Sequence, residues 1–266
     1  MKYDGIVIFS DLDGTLLDED RKLSKENMDA ISRFVQQGGS FGIATGRTEK
    51  ALTFNFPDLN VNAPSIFFNG ALACDANCER VLFNYTIPDS YEAIIKRILA
   101  KYPKVGCEIN LRKKAYVFNL NDNLRTQIKR EGLEWEESAW EDIPGGWIKV
   151  LFADRRETLK EIKADLEQLN NDINVVFSEY DLLDIMAKGV SKGAALDKLK
   201  SIYKESWRFT VAVGDNHNDL ELIQAADLGI AVDNAVPAVK DASAITIENH
   251  NTPCIPQVLD ILETYL

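Results

Sequence analysis

Residues 4–16 read DGIVIFSDLDGTL. Residues 6–9, IVIF, are a continuous run of β-branched and aromatic side chains, the pattern of a strand buried on both faces. The run leads directly into Asp11-Leu12-Asp13-Gly14. Two carboxylates therefore stand one residue apart, and the glycine after them lets the chain turn tightly. A strand buried on both faces belongs to a sheet covered by helices, and the downstream sequence supplies them. Residues 23–37 have helical periodicity, with Ser24 as a candidate N-cap and Gly38-Gly39 as the stop. Residues 40–44, SFGIA, read as a second buried strand, and SIFF within 63–68 as a third that ends at Asn69-Gly70. Strands alternating with helices predict parallel βαβ units and an α/β, doubly wound sheet.

The middle of the chain has another rhythm. Residues 80–86 are strand-like, and 88–102 form an amphipathic helical pattern with Pro88 near its start. Residues 104–109 and 114–120 read as adjacent strands, 121–131 as a helix, 147–153 as a strand and 155–169 as a charged helix. Residues 173–178 and 182–187 read as a hairpin. Paired strands beside helices predict an α+β unit with an antiparallel sheet. From Ser191 the βα alternation returns: helix 192–204, strand 209–213, helix 218–226, strand 228–232, helix 236–242, strand 244–247 and helix 255–265. The expected organisation is a discontinuous core of residues 1–83 and 188–266, interrupted by a domain of residues 84–187.

The 266 residues carry 30 Lys and Arg against 42 Asp and Glu, a net charge of −12. That balance argues against nucleic acid or an anionic membrane as partner, since both call for a basic surface. It still allows a small anion in a locally positive pocket. The cysteines are Cys74, Cys78, Cys107 and Cys254, without a C-x-x-C pair, and the chain has two His. A Cys/His zinc site is not expected. No apolar run approaches a membrane span, and residues 6–9 are too short for a signal-peptide core. The expectation is a cytoplasmic protein with reduced thiols. No heptad run calls for assembly, so a monomer or weak homo-oligomer is expected.

The chemistry-bearing residues sit at strand ends. In open α/β sheets, ligands bind beyond the carboxyl ends of strands, where Asp11 and Asp13 lie. Two acids at the end of an apolar strand are costly without a cation or hydrogen bonds. Mg²⁺ is the natural compensator, taking oxygen ligands and keeping some of its waters. The plainer alternative is that Asp11 caps a helix and Asp13 makes an Asx turn. A second cluster, Gly214-Asp215-Asn216-His217-Asn218-Asp219, follows strand 209–213. Asp219 could serve only as a helix N-cap, whereas Asp215 precedes the helix. If the two strands are neighbours, the two clusters form a divalent-cation site. Thr45-Gly46-Arg47 after the second strand could cradle an anion with backbone N–H groups. Lys192, opening a helix in Val190-Ser191-Lys192-Gly193, would favour an anion too. Each element alone is common; their order and spacing together are not.

DLDGTL, TGR, SKG and GDNHND, in that order, resemble the haloacid dehalogenase superfamily of phosphatases. Phe68-Asn69-Gly70-Ala71, the segment 184–193, Gly229 to Val232 and Asn234-Ala235 are similar to its Cof-type branch. The resemblance covers both core segments. It implies a Rossmann-like core and, from the size of the insertion, a large α/β cap of the IIB class. It implies Asp11 as the nucleophile that accepts the phosphoryl group and Asp13 as general acid and then base. It also implies Mg²⁺ held by Asp11, the Asp13 carbonyl and Asp215, with Asp219 supporting that shell. Thr45, Gly46, Arg47, Lys192 and Asn218 would bind the phosphoryl group or the substrate. The implied reaction is Mg²⁺-dependent hydrolysis of a small phosphomonoester, such as a sugar phosphate or a cofactor phosphate. The acid at Asp13 points to phosphate chemistry rather than dehalogenation.

One position departs from the branch: Asp233 stands where glycine is usual. It would either disfavour a highly anionic substrate or simply face solvent. His217 would touch substrate at the mouth of the site or have no role. The cap is expected to choose the substrate. Trp135, Trp140 and Trp147 fall in it, the first two within the acidic stretch 131–141, and are expected to pack its core or edge rather than stack on a ligand. Arg112, Lys113 and Lys114 are read as a charged, solvated turn rather than a phosphate guide. The alternatives are a phosphosugar mutase or phosphotransferase on the same scaffold, or a non-catalytic phospho-acceptor or ligand-binding module. A receiver-type phospho-acceptor is about half as long and places its acceptor on a different strand from its acid pair.

Overall fold

The computed structural model describes residues 1–112, 114–131, 135–169 and 172–265. The chain divides into two compact units. The first comprises Met1–Gly46, Phe56–Phe83 and Ser191–Leu266, and the second Arg47–Asn55 and Asn84–Val190.

The first unit is built on a five-stranded parallel sheet. Its order is Ile245–Ile247, Leu228–Val232, Phe209–Gly214, Ile6–Ser10, Ser40–Ile43. Every residue of Ile6–Ser10 and of Leu228–Val232 is buried, as expected of strands covered on both faces. The chain moves to one side of the first strand early and to the other side late, so a topological switch point lies beside it. The Ile6–Ser10 and Phe209–Gly214 strands are direct neighbours, with Ser10 opposite Val213. That adjacency, which the sequence left open, brings the two acid clusters to the same sheet edge. A second, three-stranded sheet is ordered Ser65–Phe67, Leu72–Cys74, Val81–Asn84. Its Ile66 bridges in parallel to Ala44, beyond the end of the edge strand of the main sheet.

Helix Lys25–Gln36 opens where predicted. The Ser24 hydroxyl accepts from the Asn27 N–H at 3.2 Å, satisfying one orphan donor of the first turn. Helix Lys192–Ile202 is capped in the same way by Ser191, which accepts from the Ala194 N–H at 3.1 Å.

The second unit holds a six-stranded sheet ordered Ile173–Glu179, Leu182–Ala187, Lys149–Ala153, Gly106–Asn110, Ala115–Phe118, Trp135–Glu137. All its pairings are antiparallel except the last. Strand alternation separates the two faces. Val150 and Phe152 join Ile95, Ile98, Leu159 and Ile162 from helices Glu92–Lys101 and Arg156–Glu167. Leu151 and Ala153 face the other way, onto Leu124 and Ile128 of helix Asp122–Glu131. Trp147 is 3% exposed and packs in the first of these cores, with Trp140 edge-on to it, while Trp135 on the outer strand is 41% exposed. Lys113 and part of the acidic stretch, residues 132–134, lie outside the described residues.

Three elements carried no clear sequence signal: helix Glu49–Asn55 and strands Leu72–Cys74 and Trp135–Glu137. The helix groups with the second unit, where the Arg112 Nε lies 3.2 Å from Glu49 Oε1. Seven residues are too few for amphipathic periodicity to stand out, and three-residue strands too few for alternation.

Candidate active site

The site is built at the carboxyl ends of two neighbouring strands. Asp11 follows Ile6–Ser10 at once, and its N–H donates to the Val213 carbonyl at 2.9 Å, continuing the sheet ladder by one residue. The chain then makes one wide turn, Leu12–Leu16, closed by Leu17 N–H to Leu12 O at 2.9 Å. Gly14 makes that turn possible. Its φ is +82°, and a Cβ there would lie 2.5 Å from Asp215 Oδ2. The Thr15 hydroxyl in the same turn donates to Asp215 Oδ1 at 3.0 Å.

Asp11, Asp215 and Asp219 each place a carboxylate oxygen within 4.8 Å of the others. Lys192 enters this group from the first residue of its helix. Its Nζ donates to Asp11 Oδ1 and to Asp219 Oδ1, both at 2.6 Å, and its side chain is fully buried. The second oxygen of Asp219 accepts the N–H groups of Asp215 and Asn216 at 3.0 and 3.1 Å. Asp219 is thus committed on both oxygens. It ties the Asp215 loop to Lys192 and does more than cap the short turn after it.

One ammonium does not balance three clustered carboxylates. Burial pushes the Asp11 carboxyl well above 3.8; Lys192 opposes the shift and the charges of Asp219 and Asp215 add to it. Burial, with the Asp219 charge, pushes Asp215 up to about 7. Burial alone would lower Lys192, but attraction to Asp11 and Asp219 outweighs it and raises the ammonium above 10.5. Buried, oxygen-only and carrying excess negative charge, the donor set suits a hard divalent cation. Asp11 and Asp215 fit best as its holders, because Asp219 is already spent on its neighbours.

The other predicted residues divide. Thr45 is buried, and its carbonyl accepts the Asn69 N–H at 3.0 Å. Asn218 joins the same group, its Nδ2 donating to Asn69 Oδ1 at 3.0 Å. Gly46 abuts that amide: a Cβ there would sit 2.9 Å from Asn69 Oδ1. The Asp13 carboxylate stands outside the clustered acids, 37% exposed, with Arg21 Nη1 at 3.9 Å. Arg47 is buried and groups with the second unit. Asp233 faces solvent and pairs with Lys240 at 2.8 Å. His217 is exposed, its N–H on Asn216 Oδ1 at 2.8 Å. Sequence reasoning assigned no role to Thr15, Asn69 or Asn234. Asn234 Nδ2 donates to the Gly14 carbonyl at 2.7 Å, and its Oδ1 accepts the His250 N–H at 2.9 Å. The Asn69-Gly70 pair was the one usable signal among these, as a tight-turn sequence.

A model of haloacid dehalogenase-like hydrolases matches residues 8–259. The chain belongs to that family. Among curated relatives, it is 28% identical over 234 residues to the HMP-PP phosphatase of Yersinia pseudotuberculosis serotype O:1b (strain IP 31758). That alignment covers 86% of this chain and 84% of the relative. Among solved structures, a haloacid dehalogenase-like hydrolase from Bacteroides thetaiotaomicron superposes with a TM-score of 0.88 at 21% identity, covering 97% of this chain and 99% of that one. A sugar phosphatase of subclass IIB in the same superfamily gives 0.81 at 21% identity, covering 97% and 98%. The fold is therefore the α/β parallel-sheet core with the inserted cap that the sequence led one to expect, and the chain is a hydrolase of this family. Among the described residues, no helix is long and apolar enough to cross a membrane.

Proposed function

We propose that this hydrolase is a cytoplasmic Mg²⁺-dependent phosphatase of small phosphomonoesters, working through an aspartyl phosphate on Asp11. The observation that carries the reading is the bridged position of Lys192 between Asp11 and Asp219, beside Asp215, at the ends of adjacent strands. The curated relative, a phosphatase of HMP-PP, supports a small phosphorylated metabolite as substrate.

Asp11, Asp215 and the Asp13 carbonyl would hold Mg²⁺, which when bound supplies positive charge to the phosphoryl oxygens. A carboxylate oxygen of Asp11 attacks phosphorus as the ester P–O bond breaks. Asp13, as the carboxylic acid, gives its proton to the departing alkoxide. Asp13, now a carboxylate, then takes a proton from water. The water oxygen attacks phosphorus and the bond to Asp11 breaks, releasing inorganic phosphate and restoring both groups. Lys192 fixes the Asp11 carboxylate and offsets its charge, so that the oxygen can approach an anion. Asp219 keeps Lys192 and the Asp215 loop in place. The turn of Thr45 and Gly46 with Asn218 receives the phosphoryl group.

Phosphate release over a panel of hexose, pentose, nucleoside, pyridoxal and aryl phosphates, with Mg²⁺ or with a chelator, tests the reading. Mg²⁺-dependent release from some members is expected. Transfer of the phosphoryl group between sugars without free phosphate would move the assignment to a mutase.

A further inference from the structure

Phe68, Asn69 and Gly70 have φ values of 50°, 52° and 106°. Glycine takes this left-handed region freely and asparagine tolerates it, but a bulky residue such as Phe68 rarely adopts it. Such backbone persists only where its surroundings over-determine it. Here the Asn69 N–H is held by the Thr45 carbonyl at 3.0 Å. Gly70 lies so close to the N-cap of the Lys192 helix that a Cβ would sit 2.1 Å from the Ser191 carbonyl oxygen. The segment is pinned between the Thr45-Gly46 turn and the residue that caps the lysine's helix.

The strained loop presents one buried amide, that of Asn69, which is 3% exposed. Its Oδ1 accepts from Asn218 Nδ2 at 3.0 Å, which leaves the Nδ2 donors without a partner among the described residues. Nδ2 is not sealed from solvent, so a small ligand can reach it. The whole amide lies against Gly46, where a Cβ would come within 2.9 Å of Oδ1 and 3.2 Å of Nδ2. Glycine at 46 therefore lets the Thr45-Gly46 turn pack close to the amide, while Asn218 holds its Oδ1 to the acid loop.

We infer that Asn69 is a substrate-contacting residue whose Nδ2–H donates to a phosphoryl oxygen beside Gly46. A free donor selects an acceptor atom. Lys192, held between two carboxylates, has most of its donor capacity committed. The inference rests on the phosphatase reading and adds a residue to it. In it, the amide binds the anion as a neutral donor, and the bond from Asn218 fixes which end of the amide faces the ligand.

The probe is inorganic phosphate with Mg²⁺, measured by calorimetry and as a product inhibitor. Asn69→Asp keeps the size, the tolerance for left-handed backbone and an acceptor for Asn218, but replaces the donor with a carboxylate oxygen. It is expected to weaken phosphate binding by about 10- to 100-fold, with Tm held and kcat/KM lowered more than kcat. If Asn69→Asp does not fold, Asn69→Gly, equally suited to this φ, is expected to weaken phosphate binding in the same direction. Unchanged phosphate affinity in either folded variant overturns the inference, even with a fully active wild type. A wild type that binds phosphate through Asn69 yet hydrolyses no ester would sink the phosphatase reading and leave the contact standing. A wild type that binds no phosphate overturns the contact whatever its activity.

Discussion

In the proposed metal site, Asp215 would link metal binding to pH. Burial and the Asp219 charge raise its carboxyl to about 7, against an ordinary 3.8. Between these values the folded, metal-free protein binds more protons than the unfolded chain. Its stability therefore falls as pH rises from about 4 to 7, and Asp11 contributes in the same direction. If Asp215 holds Mg²⁺ as proposed, the ion displaces that proton, and its affinity is expected to fall about tenfold per pH unit below 7. Calorimetric titrations at several pH values check this, and a pH-independent affinity would contradict it. Asp13 makes a separate case. Asp13→Asn would remove the proposed proton donor, and turnover of alkyl phosphates is expected to drop ~10²- to 10⁴-fold, with a smaller loss for aryl phosphates whose leaving groups need no proton. Equal losses for both classes would argue against a general acid here. At this scale much was legible: two acid pairs after apolar runs and a lysine opening a helix announced the site. The sequence could not show that Asp219 uses both oxygens on its neighbours. Nor could it show that Asn69 and Asn218 meet across 149 positions of chain.

The wide turn Leu12–Leu16 is the element on which the site depends. It carries Asp13, presents Thr15 to Asp215, and approaches Asp215 closely at Gly14. Gly14→Ala would place a methyl 2.5 Å from Asp215 Oδ2 at a φ of +82°. A side chain there is strained on both counts. The variant is expected to lose at least about tenfold in Mg²⁺ affinity, by displacing that carboxylate. Wild-type metal affinity in a folded Gly14→Ala protein would show that the turn does not set the Asp215 position. The strands and most helices were readable because burial on both faces leaves continuous apolar runs, and a 3.6-residue period survives over ten or more residues. Helix Glu49–Asn55 escaped because it is short, and Leu72–Cys74 because its three residues follow the left-handed Asn69-Gly70 turn without room for a pattern.

Over the whole molecule, the clustered acids, Lys192, Thr45, Asn69 and Asn218 all belong to the first unit. The ends left by the insertion meet that unit along one helix: Ser191 caps Lys192–Ile202, and Lys198 Nζ lies 4.7 Å above the Phe83 ring. A protein in which a short linker replaces Asn84–Val190 is expected to bind Mg²⁺ within about tenfold of the full chain. Folded protein without metal affinity would mean that the second unit helps build the metal site. The parallel order of the sheet followed from the βα alternation. That Ile6–Ser10 and Phe209–Gly214 are neighbours did not, because pairing across some 200 residues is decided by topology rather than by local pattern. The central claim is that Asp11 carries the phosphoryl group. The most direct measurement is acid-quenched turnover with Mg²⁺ and an aryl phosphate, mapping the phosphorylated residue by mass spectrometry, with Asp11→Asn alongside. A phosphoryl group on Asp11 and loss of essentially all turnover in Asp11→Asn are the expected results; undiminished turnover in Asp11→Asn would contradict the claim.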